Sequence, residues 1–207
     1  MIDGVVNKHL NESSLSRLWK HNEEHDCGAM TAFRVAPDCG NGEHYTKKEK
    51  KQRNKSLRAK LKSKGYGVTE LKGKYPEGGT TVMEESYFIV DLKDNGNLEK
   101  DLVAFGKLFE QDSVLFVPKG AIQNKVKAFL IGTNNCPDAL GMGKKLVFDK
   151  GRLGHESKIY TSFVNGRPFI FESVCREIGT PGSGMGWWAV HVLANKPWQE
   201  MEIDMVD

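Results

Sequence analysis

Apolar positions along this chain change period several times, and each change marks an element. Leu15, Leu18 and Trp19 recur at helical spacing between Ser13 and His25, and Asp26-Cys27-Gly28 ends the run. Ala29 to Val35 then reads as a strand, and Pro37 to Tyr45 as a loop. From Lys47 to Lys64 the inward-facing positions shrink to one narrow stripe, Asn54, Leu57 and Leu61. Thr46 and Glu49 open this helix as a capping box, and Gly65 closes it. Tyr66 to Tyr75 and Val82 to Leu92 read as strands around a turn at Pro76 to Thr80. Leu98, Leu102, Phe105, Leu108 and Phe109 give an amphipathic helix. Ser113 to Val117 and Val126 to Ile131 are short apolar strands. Lys158 to Val164 and Arg167 to Phe171 flank Asn165-Gly166, a two-residue hairpin signal. The pattern predicts an α+β fold: a mixed or antiparallel sheet with about three helices packed on it. The expected organisation is a loose N-terminus over 1–12, one domain over 13–173 and a Gly/Trp-containing extension over 174–207.

Composition narrows the class. The 207 residues are 39% hydrophobic and 28% charged, enough apolar content for a core. No apolar run approaches the roughly 18 residues of a membrane span. Met1-Ile2-Asp3-Gly4 lacks the basic and apolar regions of a secretory signal, so the expectation is a soluble intracellular protein. Four cysteines without a C-x-x-C pair do not suggest a disulfide scaffold.

Charge sharpens the picture more than composition does. Ten of the 30 basic residues fall between Lys47 and Lys64, with Glu49 the only acid among them. The remainder of the chain holds 20 basic and 26 acidic residues. A mildly acidic body thus carries one basic rod. Lys47, Lys48, Lys51, Arg53, Lys55, Arg58 and Lys62 are candidates for binding a polyanion, with Lys119, Arg167, Trp187 and Trp188 as further contacts. A merely solvated helix face is the alternative.

Catalytic signatures are sparse. His21 and His25 fit H-x-x-E-H, but at the end of a short helix, and no metal site is assigned. Neither glycine-rich stretch, Gly141 to Gly143 or Gly182 to Gly186, matches a phosphate loop, and no cofactor is expected. Charges embedded in apolar strands are the better clue. Arg34, Glu85 and Asp112 are candidate catalytic residues if they meet in one polar cleft, and Arg34–Glu85 or Arg167–Glu172 are candidate ion pairs.

Thr31-Ala32-Phe33-Arg34, Arg53-Asn54, Gly65-Tyr66-Gly67, Glu85-Ser86, Gln111-Asp112-Ser113-Val114-Leu115 and Arg167-Pro168-Phe169 carry a resemblance. Over residues 13–173 the chain resembles a family of small uncharacterised accessory proteins of tailed bacteriophages, with more distant bacterial relatives. The resemblance implies a product acting in the host cytoplasm during takeover or against defence, and transfers no catalytic residue. Two functional readings result. One is an accessory protein that binds a host protein or nucleic acid through the basic helix, with no membrane role. The other is a small enzyme acting on a phosphate-bearing, nucleotide or nucleotide-modified substrate in the polar cleft.

Overall fold

The computed structural model describes residues 14–34, 36–77, 80–121, 126–137, 139–148, 150–153, 161–164, 167–173 and 191–192. The fold is α+β, as the periodicity predicts. Among the described residues three helices, α1 (Ser14–Glu24), α2 (Lys47–Ser63) and α3 (Leu98–Leu108), accompany one sheet. Its strands are β1 (Cys27–Met30), β2 (Gly67–Glu77), β3 (Thr80–Val90), β4 (Ser113–Val117), β5 (Ala128–Gly132), β6 (Lys145–Phe148), β7 (Lys150–Leu153), β8 (Thr161–Val164), β9 (Arg167–Ser173) and β10 (His191–Val192). They lie in the order β10-β9-β8-β2-β3-β1-β4-β5-β6, and β7 also pairs with β9. The β10–β9 pair is parallel; the others are antiparallel. The segments 1–12 and most of 174–207, Trp187 and Trp188 included, lie outside the described residues. Among those residues no helix is long and apolar enough to cross a membrane.

Register divides the central strands into two buried faces. Met30, Tyr87, Ile89, Val114, Phe116 and Ile131 form one core with Leu57 and Leu61 of α2 and Leu98, Leu102 and Phe105 of α3. Ala29, Phe88, Leu115 and Leu130 share the opposite face and are also buried. The helix-side fit is close at Gly28. A Cβ there would stand 2.4 Å from Leu102 Cδ1 and 2.8 Å from the Leu115 carbonyl, so α3 can rest on β1 only over a glycine.

Helix α2 starts and stops as its caps dictate. Thr46 accepts from the Glu49 amide at 3.2 Å while the Glu49 carboxylate accepts from the Thr46 amide at 2.7 Å. Gly65 takes φ +91°; its N–H donates to the Lys62 carbonyl and that of Tyr66 to the Leu61 carbonyl, which ends the helix. Lys64 and Tyr66 both donate to Asp101 at 2.7 Å, tying this end of α2 to α3.

The first strand is shorter than its composition suggests. It stops at Met30, because α2 competes for the next two residues. Asn54 Oδ1 accepts from the Ala32 amide at 2.6 Å and from the Thr31 hydroxyl at 3.1 Å. Those donors turn toward the helix, and residues 31–34 leave the sheet. A disulfide joins Cys39 to Cys136, whereas Cys27 is free and buried. The cysteine count gave no sign of that bridge.

Candidate active site

Arg34 and Asp112 do come together, but deep in the protein. Arg34 Nη1 lies 3.1 Å from Asp112 Oδ1, with side chains 1% and 8% exposed. Nε donates to the Ala36 carbonyl at 2.9 Å, and Nη1 also donates to the Glu110 carbonyl. Asn134 Nδ2 donates to Asp112 at 2.6 Å. This set of bonds closes the junction between α3 and β4 over the segment leaving β1. The partner expected for Arg34 was Glu85. The structure pairs it with Asp112 instead, because the chain has already left the sheet at Thr31.

Helix α2 sorts its cations by face. Lys47, Lys48, Lys51 and Lys55 are exposed and line a shallow hollow with Gln52, and Lys62 is exposed further along. Arg53 turns inward. It donates to the carbonyls of Ala32 (3.1 Å) and Phe109 (2.6 Å) and to the Tyr45 hydroxyl (3.2 Å), lies 4.6 Å over the Tyr45 ring and pairs with Glu110 at 3.5 Å. Arg53 therefore acts as a structural clamp. Arg58 reaches the sheet, 3.1 Å from Glu70 on β2.

That contact leads to a group of charges on β2 and β3 of which the sequence singled out only Glu85. Glu70 stands opposite Tyr87, and Lys72 opposite Glu85, across the β2–β3 ladder. Cross-strand partners share a face, so Glu70, Lys72, Glu85 and Tyr87 all lie on the side covered by α2. Tyr87 is buried and donates to the Asn54 carbonyl at 3.2 Å. Burial raises its phenol above the ordinary range; the carboxylates of Glu70 and Glu85 push the same way and Arg58 opposes them. Both carboxylates are exposed at the margin of the helix. Glu85 is held by its backbone, whose carbonyl accepts from Thr31 Oγ1 at 2.7 Å and Asn54 Nδ2 at 2.8 Å. Two exposed carboxylates thus stand near Arg58 and Lys72 at the margin of α2, over a tyrosine buried in the core, and a cationic ligand would find counter-charge there.

The other sequence candidates lie elsewhere. Lys119 is exposed just past β4, its amide donating to Asp26 at 2.8 Å. Arg167 pairs with Val164 in the β8–β9 register. His21 and His25 have ring centroids 6.3 Å apart, and His25 bonds Asp94 at 2.9 Å. Among the described residues no three His, Cys, Asp or Glu side chains gather as a metal site.

The profile of the S-Adenosylmethionine lyase family matches residues 30–172, well over half of the chain. No curated protein matches it. The family is named for an enzyme whose substrate is built on a nucleoside. That overturns the expectation of an accessory binding protein working through its basic helix, and favours the small-enzyme alternative. The helix carries its lysines outward and devotes Arg53, Asn54 and Arg58 to holding the sheet. From Met30 at the end of β1 to Glu172 in β9, the chain belongs to the S-Adenosylmethionine lyase family.

Proposed function

We propose that the chain breaks a carbon–sulfur bond of S-adenosylmethionine without water, at the face where Glu70, Glu85 and Tyr87 meet. The observation that carries this reading is the placement of two carboxylates around a buried tyrosine in a chain of this family. The substrate's own chemistry narrows the reaction. Its sulfur is a sulfonium, so any of three carbons can lose it as a neutral thioether. The substrate's carboxylate can reach Cγ and close a five-membered ring. The C–O bond forms as the Cγ–S bond breaks, and the bonding pair goes to sulfur. Methylthioadenosine and homoserine lactone result, with no proton transferred.

Such a reaction needs orientation more than acid or base. The enzyme must fold the amino-acid arm until carboxylate oxygen, Cγ and sulfur are in line. Glu70 and Glu85 would hold the sulfonium and the α-ammonium, while Tyr87, buried beside them and bonded to the Asn54 carbonyl, would fix the strand that carries Glu85. Charge is annihilated along this path, so the reaction gains from any water that the bound substrate displaces. Of the three sequence candidates, Glu85 keeps a place in the site, and Arg34 and Asp112 become positioning residues for the framework.

Incubation of the full chain with S-adenosylmethionine in ¹⁸O-water tests the reading by mass spectrometry. One methylthioadenosine per substrate consumed, with unlabelled lactone in the first turnovers, is the expected result. Intact substrate, S-adenosylhomocysteine, or homoserine labelled from the first turnover would overturn it. The phage resemblance supports an infected bacterial cytoplasm as the setting, where loss of the methyl donor would act against methylation-dependent defence. An unchanged cellular pool of S-adenosylmethionine on induction of the chain would sink that setting.

A further inference from the structure

We propose that Cys39 and Cys136 form a reversible thiol–disulfide site, closed by an oxidant of the glutathione-disulfide class. It would tether the approach to α2 onto the loop after β5. The two Cα atoms lie 5.3 Å apart across 97 residues of sequence. Their surroundings differ in the way that such chemistry requires. Cys39 is exposed on the short 3-10 turn Asp38–Gly40, open to an oxidant. Cys136 is half-buried, its sulfur 3.5 Å from Nη2 of Arg34, a buried guanidinium shared with Asp112. A fixed cation beside sulfur favours the thiolate, the form that attacks a disulfide. The Cys136 amide donates to Asn134 Oδ1 at 3.0 Å, which fixes that sulfur's side of the pair. Cys27 provides the contrast: burial pushes its thiol far up, the charge of Asp26 adds to this, and its sulfur is shut away from any oxidant.

The exchange balances in two steps. The Cys39 thiolate attacks glutathione disulfide, forming a mixed disulfide and releasing one glutathione thiolate. The Cys136 thiolate then attacks Cys39 sulfur and releases the second. Two protein thiols are oxidised, one glutathione disulfide is reduced to two thiols, and both protons end on glutathione. Opening has a structural consequence. Asp38 and Cys39 hold φ of +48° and +59°, a region that L residues rarely adopt. Freed of the bridge, this turn can relax, and it stands shortly before Thr46, the cap of α2.

The test uses the full chain in glutathione buffers, with thiol trapping and mass spectrometry. In wild type the peptides holding Cys39 and Cys136 are expected to lose about two mass units together, carry no glutathione, and recover on return to reduced glutathione. Cys136→Ser is expected to keep one glutathione on Cys39. Reduction should speed amide exchange over residues 37–46 about tenfold. Three results would overturn the proposal: glutathione persisting on wild-type Cys39, a bond that reduced glutathione never opens, or modification of Cys27 ahead of Cys39.

Discussion

Two arginine–carboxylate pairs in this protein have the same 3.1 Å separation and opposite surroundings. Arg34–Asp112 has side chains 1% and 8% exposed; Arg58–Glu70 has 42% and 68%. Distance alone would rank them equal. Burial decides otherwise, because a charge removed from water is tolerated only while its partners remain, whereas an exposed pair is screened and contributes little. The buried pair is therefore framework. The exposed one keeps its carboxylate in water, on the face that Glu85 and Tyr87 share, where the proposed site lies.

Breaking the buried pair should produce the largest effect. Asp112→Ala strands a guanidinium in the interior and removes an acceptor from Asn134. Denaturant unfolding should report a loss of about 3–5 kcal/mol. A loss below about 1 kcal/mol would mean that Arg34 finds water, and the contrast between the pairs would fail.

Glu70→Gln probes the other member. It removes an exposed charge while preserving shape, so stability should move by no more than about 0.5 kcal/mol. Turnover of S-adenosylmethionine should fall by about a hundredfold, the scale of losing one electrostatic contact in an active site. Full activity in a stable variant would remove Glu70 from the site and with it the geometry proposed for Glu85.

How far these pairs were legible in the sequence depends on how local their causes are. The stripe Asn54, Leu57, Leu61 and the Thr46–Glu49 cap sit within a few residues of one another, and their period gave α2 nearly to its ends. The early end of β1 was invisible. Thr31 and Ala32 suit a strand, and only the amide of Asn54, more than twenty residues on, draws them off. Arg34 and Asp112 are 78 positions apart, with nothing in the intervening pattern to join them. Glu70 was nearer to view. Gly78-Gly79 stands between Glu77 and Thr80, a two-residue hairpin signal, and counting back from it sets Glu70 opposite Tyr87. Charges in the best strand drew attention, and their cross-strand partners did not.

Two tyrosines give the comparison a pH dependence. Tyr66 is raised by burial first, then by its bond to Asp101 and the charges of Asp101 and Asp91. Tyr87 is raised by burial, then by Glu70 and Glu85 against Arg58. A phenol raised in the folded state keeps its proton while the unfolded chain loses it. The unfolded state therefore binds fewer protons above about pH 10, and stability falls as pH rises through that range. Below it the contribution is fully present. Urea unfolding at stepped pH should show a plateau and then a decline. Tyr66→Phe should flatten the decline while leaving turnover near wild type, since this ring sits at the α2–α3 junction. An unchanged slope would mean that the phenolate is accommodated in the fold.

The smallest effect is expected where the sequence looks most pointed. Lys47, Lys48, Lys51 and Lys55 face solvent around a shallow hollow, while Asn54, Leu57 and Leu61 of the same helix are buried. Replacing the four lysines with glutamine keeps helix propensity and an unbranched polar side chain, only slightly shorter, and removes the charge. An enzyme working from Glu70 and Glu85 at the margin of α2 should then retain its kcat within about twofold and its stability within about 0.5 kcal/mol. The substrate reinforces this, because a sulfonium gains nothing from a cationic approach and is repelled by one. At low salt KM should therefore fall slightly in the quadruple variant, and the difference should vanish as ionic strength rises. A large loss of turnover would instead show that the outer lysines act on the reaction, and the reading of this face of α2 as merely solvated would be wrong.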